Sequence, residues 1–165
     1  MQKVALRSNS KASTSYVRHD NDHIMHFSLQ GSLPAGHTLA LNLTLCTLSH
    51  IVCREERPWL VGQQQFTPSE MSVLLPLLDS FPYYCPYEVI FASFYNGNTQ
   101  EQTVERARRH LHEALETGIW EQELRPLRNV LSRTRLKLKD FAIDISSILE
   151  TGYILKYSSK TKSEF

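Results

Sequence analysis

Five residues near the N-terminus, His19, Asp20, Asp22, His23 and His26, offer the nitrogen and oxygen donors that metal ions take. A metal site needs its donors held in a fixed geometry. These lie in or beside a polar stretch whose composition marks it as mobile, so no metal is expected there. Cys46, Cys53 and Cys85 are odd in number and lack the short paired spacing of a zinc or redox site, which points to reduced thiols in a cytoplasmic setting. His110 and His112 are two apart and cannot share a helix face. The chain has no Gly-rich phosphate loop, no Gly-x-Ser-x-Gly elbow and no His-Glu-x-x-His pair. The expectation is a protein that is not an enzyme and needs no cofactor.

Cations form the one patterned group. Arg125, Arg128, Arg133, Arg135, Lys137 and Lys139 follow one another with no acid before Asp140. The formal net charge of the whole chain is only +1, so total charge gives no argument for a polyanionic partner and the distribution must carry it. Such side chains neutralise phosphates and release counterions, and an arginine fork can also read the edge of a guanine. A basic helix is just as readily a solvated face, so charge alone does not decide the matter.

The elements that would position these cations are legible along the chain. Residues 1–24 are polar, carry a Ser-Asn-Ser-Lys-Ala-Ser-Thr-Ser run and read as a flexible leader. Leu39, Leu41, Leu43 and Leu45 alternate at period two, predicting an antiparallel strand through Leu45, with further strands over 50–54 and 59–61. Thr67-Pro68-Ser69-Glu70 predicts a helix start with a capping box and Pro68 in the first turn. That helix should run to about Ser80 with Val73, Leu74, Leu77 and Leu78 inward, kinked at Pro76. A short helix follows from Pro86 to about Phe94, closed by Asn96-Gly97. An exposed helix spans 99–117 with Val104, Ala107, Leu111, Ala114 and Leu115 at helical spacing. The basic helix is expected over 122–139, with Pro126 in its first turn. Two β-rich runs within 143–157, around Glu150-Thr151-Gly152, predict a hairpin, and residues 158–165 a flexible tail. No apolar run reaches the roughly 18 residues that a membrane span requires, so no membrane partner is expected.

Three stretches in this order, Thr67-Pro68-Ser69-Glu70, Leu131-Ser132-Arg133-Thr134-Arg135-Leu136-Lys137-Leu138 and Ser147-Ile148-Leu149-Glu150-Thr151-Gly152-Tyr153-Ile154-Leu155, resemble the OmpR/PhoB-type winged-helix effector domain of bacterial response regulators. That family reads Leu-Thr-Pro-x-Glu, Ile-x-Arg-Leu-Arg-x-Lys-Leu and Thr-Val-Arg-Gly-x-Gly-Tyr-x-Leu at the corresponding places. The resemblance covers about residues 37–157. It implies an α+β winged helix-turn-helix with an N-terminal antiparallel sheet, a helical bundle and a C-terminal hairpin wing. The domain would occupy 25–157, with 99–117 as an inserted helix and no receiver domain. By the same resemblance Arg133, Arg135 and Lys137 face double-stranded DNA, with Arg128 and Ser132 beside them. Ser147 matches the phosphate-binding Thr of the wing, and Lys139 and Thr151 complete the expected set. Gly152 and Tyr153 match structural residues, the glycine permitting a tight wing.

The chain also departs from the pattern. Leu149 and Glu150 replace a wing Arg and Gly, while Thr134 and Leu136 exchange a buried and an exposed character, which points to a rotated helix or a partner contact through Leu136. The implied function is a sequence-specific transcription regulator, dimeric on repeated half-sites, with RNA polymerase or another protein meeting the 99–117 helix. The alternative is a winged helix that has turned to protein interaction, for which Leu136, Leu149 and Glu150 speak.

Overall fold

A computed structural model of the chain describes residues 2–5, 16–19 and 23–158. Its first half is an antiparallel sheet in chain order: β1 (Gln2–Ala5), β2 (Tyr16–His19), β3 (Ile24–Phe27), β4 (His37–Asn42), β5 (Thr47–Arg54) and β6 (Arg57–Gln65). Within the expected leader the described pieces are thus strands, and the remaining leader residues lie outside the described ones. So do Asp20, Asp22 and the side chain of His19, three of the five candidate metal ligands. The alternation read over Leu39 and Leu41 buries both. It does not continue to Leu45, because the Asn42 side-chain carbonyl accepts the amides of Thr44 and Leu45 at 3.0 and 2.9 Å and turns the chain. Leu45 is consequently 61% exposed.

The capping box forms as expected at α1 (Pro68–Ser80). The Glu70 amide donates to Thr67 Oγ1 at 3.2 Å, and the Thr67 amide donates to Glu70 Oε1 at 2.8 Å. Val73, Leu74, Leu77 and Leu78 are buried. Pro76 has no amide to offer the carbonyl of Ser72, which instead accepts the Ser93 hydroxyl at 2.5 Å, so α1 runs on to Ser80 with that carbonyl satisfied.

Ser93 belongs to α2 (Tyr87–Asn96), closed by Gly97 in the left-handed region at φ 72°. The helix expected at 99–117 is α3 (Glu101–Glu116). Its stripe of Thr103, Ala107, Leu111 and Ala114 is buried, while Leu115 is exposed. Ala107 and Leu111 belong to the same core as α1 and α2, so α3 is packed into the fold.

The basic helix α4 (Trp120–Leu138) begins earlier than expected. Pro126 therefore lies in its second turn, not its first. The reason is tertiary: Trp120 meets Tyr87 edge to face at 5.4 Å, and Leu124 and Leu127 are fully buried, fixing the helix upstream of the proline.

The hairpin is β8 (Ile143–Ile148) with β9 (Gly152–Tyr157). A two-residue strand that the sequence did not announce, β7 (Cys85–Pro86), pairs with β9 to give a second sheet in the order β7-β9-β8. Phe27, Leu39, Leu41 and Leu48 of the first sheet, the apolar faces of the helices, and Ile143, Ile145 and Leu155 of the hairpin share one α+β core. Burial pushes the Cys85 thiol up to about 12, which leaves it an inert core residue. All three cysteines are free. Among the described residues no helix is long and apolar enough to cross a membrane.

Candidate nucleic-acid interface

The helical period decides which of the candidate residues on α4 can act together. Leu124, Leu127, Val130, Leu131, Thr134 and Leu138 form the buried stripe. Thr134 is wholly buried because its hydroxyl donates to the Val130 carbonyl at 2.8 Å, leaving no unsatisfied polar atom in the core. Leu136 is 63% exposed. Thr134 thus takes a core position and Leu136 an exposed one. Opposite the stripe lie Arg125, Asn129, Ser132, Arg133 and Leu136, all exposed. The Ser132 hydroxyl donates back to the Arg128 carbonyl at 3.0 Å.

The six cations of α4 and its C-cap fall into two groups. Three are neutralised within the chain. Arg128 pairs with Glu121, which raises its pKa further, and it also neighbours the Tyr153 hydroxyl. Arg135 donates to both carboxylate oxygens of Asp144 on β8, at 2.6 and 3.3 Å, and holds that carboxyl below its ordinary value. Lys137 turns to the other side of the helix and reaches Glu70 Oε1 at 2.6 Å and the Gln65 carbonyl at 3.0 Å, with its ammonium 5.4 Å from the centre of the Phe66 ring. It is a structural tie between α4 and the start of α1, and it does not join the outward set in which it was expected. Arg125, Arg133 and Lys139 have no ion pair or hydrogen-bonded side-chain partner among the described residues. The outer face therefore carries three positive charges that no described residue pairs.

Between α4 and the hairpin runs an open cleft of about 330 Å³, lined by Arg128, Ser132 and Arg135 on the helix side and by Ser147, Leu149 and Tyr153 on the hairpin side. Two guanidinium groups and two hydroxyls in one cleft can donate to phosphate oxygens once Glu121 and Asp144 yield the arginines and Ser132 turns its hydroxyl from the Arg128 carbonyl. Arg135 and Asp144 are both about half exposed, so their pair exchanges at low cost. Thr151 stands apart: its hydroxyl donates to the Leu149 carbonyl at 2.9 Å and serves the turn.

Comparison with protein-family models, with curated proteins and with solved structures found no match to this chain. Arg125 and Asn129 were not among the expected contact residues, yet they stand on the outward face with Arg133. The signal was present in the sequence as their spacing of four and eight residues.

The turn between β8 and β9 gives one further result. The residue in the left-handed region is Glu150, at φ 54°, not Gly152. A residue with a Cβ pays about 1 kcal/mol or more for that conformation, which glycine adopts freely. Glu150→Gly should raise stability by about 0.5–1 kcal/mol in urea unfolding, the gain being limited by the added freedom of the unfolded chain. A loss of stability would show that the Glu150 side chain holds the turn in some other way.

Proposed function

We propose that this chain is a winged-helix protein that binds double-stranded DNA and regulates transcription, with α4 entering the major groove and the β8–β9 hairpin acting as the wing. The reading rests on one observation above the others: three cations without a partner among the described residues, Arg125, Arg133 and Lys139, lie on exposed surface of the helix and its C-cap, beside a guanidinium- and hydroxyl-lined cleft. In this reading Arg125, Asn129 and Arg133 face base edges, where an arginine fork suits guanine and an asparagine suits adenine. Arg128, Arg135, Ser132 and Ser147 take the backbone, and Lys139 adds to the field. The N-terminal sheet, the capped α1, the basic α4 and the C-terminal hairpin follow one another in the order that the resemblance to OmpR/PhoB-type domains implies. We further propose that two copies bind repeated half-sites.

The test is fluorescence anisotropy of the full chain with a random duplex pool at several salt concentrations, beside Arg125→Ala/Arg133→Ala. Both side chains are exposed and without partners among the described residues, so the double variant should keep the wild-type melting temperature. Its affinity should fall at least about tenfold at low salt. If both arginines meet phosphates, the slope of log K against log salt should drop by about 1.8, at about 0.9 for each phosphate no longer neutralised. Binding of both to base edges would lower affinity and leave the slope nearer its original value. Wild-type protein that fails to bind at low salt, or a double variant that binds equally well, would overturn the DNA reading. Exposed Leu136 and Leu149 then favour the alternative, a winged helix that binds protein.

A further inference from the structure

Leu149 is 86% exposed, more than any other large hydrophobic residue described. It stands at the tip of the hairpin, on a turn that is tied down from several sides. The Thr151 amide donates to the Ile148 carbonyl at 3.0 Å, the Thr151 hydroxyl donates to the Leu149 carbonyl at 2.9 Å, and the Tyr87 amide donates to the Thr151 carbonyl at 3.1 Å. Behind the turn, Gly152 lies against the backbone of Cys85 and Pro86. An apolar side chain is thus held out in water on a braced support. A loose surface leucine would not need these ties.

Its neighbours indicate what it meets. Leu149 lines the same cleft as Arg128, Ser132, Arg135 and Ser147, while Glu150 is not among the lining residues. A phosphate backbone seated on those donors offers nothing apolar to a leucine beside them. Beyond the thymine methyls and the sugar edges, the largest apolar surface of a duplex is the face of a base pair, and it becomes available when a base step is partly unstacked from the minor groove. Leucine is among the side chains that act as such wedges, and rigidity in the support is what lets a wedge transmit force to the stack.

We infer that Leu149 is a wedge: it inserts from the wing tip between two base pairs in the minor groove flanking the α4 contact, and kinks the duplex there. The inference rests on the DNA-binding reading above. It adds a source of specificity that needs no hydrogen bond to a base. Pyrimidine–purine steps such as TA unstack most easily, so sites carrying one beneath the wing are favoured over stiffer steps.

The experiment uses the full chain, a duplex selected from the random pool, and two reporters on it: 2-aminopurine walked along the flanking steps, and a donor–acceptor pair on the two ends. Leu149→Ala is the main variant. Because the side chain is exposed, its melting temperature should match wild type, and Leu149→Met, which keeps a long apolar side chain, should retain the wedge. Wild type should raise 2-aminopurine fluorescence severalfold at one flanking step and bring the ends together by a bend in the range of about 20–90°. Leu149→Ala should still bind, through the cations, but lose both signals and its preference for TA at that step. Wild-type binding without local unstacking, or a Leu149→Ala complex that unstacks and bends the duplex like wild type, overturns the wedge and leaves the DNA-binding reading standing. Absence of any wild-type binding at low salt overturns both together.

Discussion

Lys137→Met should destabilise the fold by about 3 kcal/mol at neutral pH, toward the lower end of the roughly 3–5 kcal/mol that follows from removing one partner of a buried ion pair. Glu70 is 1% exposed, whereas Lys137 remains 30% exposed, so water screens part of the attraction and the lower end applies. Burial by itself pushes the Glu70 carboxyl up. The Lys137 ammonium and the amide and hydroxyl of Thr67 outweigh that effect and hold it below its ordinary value. With Lys137 gone, the carboxylate keeps only the capping contacts with Thr67 against the cost of burial.

That balance sets the sign with pH. A carboxyl lowered in the folded state contributes stability that is fully present above the ordinary carboxylate range, and that stability is lost as pH falls through the native value. Lys137→Met removes the ammonium's share of the lowering while burial stays, so Glu70 takes up a proton at higher pH than in wild type. The difference in stability between the two proteins should therefore be largest near pH 7 and shrink below about pH 5. Urea unfolding at both pH values measures it. Adding Glu70→Gln should recover part of the loss, because the stranded charge is then gone. A deficit under about 1 kcal/mol at neutral pH would mean that water or a backbone shift satisfies Glu70, and that Lys137 is free to serve the outer face after all.

This pair also shows where sequence reasoning reached its limit. The capping box at Thr67 and Glu70 was legible because its residues are three apart and act through the local backbone. The resemblance groups Lys137 with Arg133 and Arg135, but its partner is distant in the chain, and only the packing of α4 on α1 aims it there. Pro126 followed the same logic. Local chemistry places a proline in a first turn, but Trp120, Leu124 and Leu127 had a core to fill, and the helix began where they packed. Leu45 failed for the opposite reason, since Asn42 ended the strand by a local turn that the leucine alternation masked. The hairpin and the basic helix were visible as pattern and charge. The division of the six cations into paired and open was not, because Glu121, Asp144 and Glu70 come to them from outside the basic run.

Gly152→Ala should cost roughly 3 kcal/mol, for a reason different from the one its place beside a turn suggests. Its φ is not in the left-handed region, so an L residue suits its backbone, and the obstacle is space. A Cβ there would sit 2.1 Å from the Cys85 carbonyl oxygen and 2.9 Å from both the Cys85 carbonyl carbon and Pro86 Cα. These are backbone atoms of β7, and no rotamer change moves them aside. Relief requires β7 to leave β9, which gives up the Tyr87 amide bond to Thr151 and the edge-to-face contact of Tyr87 with Tyr153 at 5.3 Å. Tyr153 in turn neighbours Arg128, so the damage passes from the sheet to the cleft. Gly97→Ala is the informative comparison. That residue does have φ 72°, but a Cβ there would meet nothing within 4 Å, so it should cost only about 1 kcal/mol of backbone strain. For a chain of this size, Gly152→Ala should lower the melting temperature by about 6–12 °C and Gly97→Ala by about 2–4 °C. Equal shifts would remove the argument from close approach, while a larger loss at Gly152 places the tolerance of the hairpin in the two-residue strand behind it.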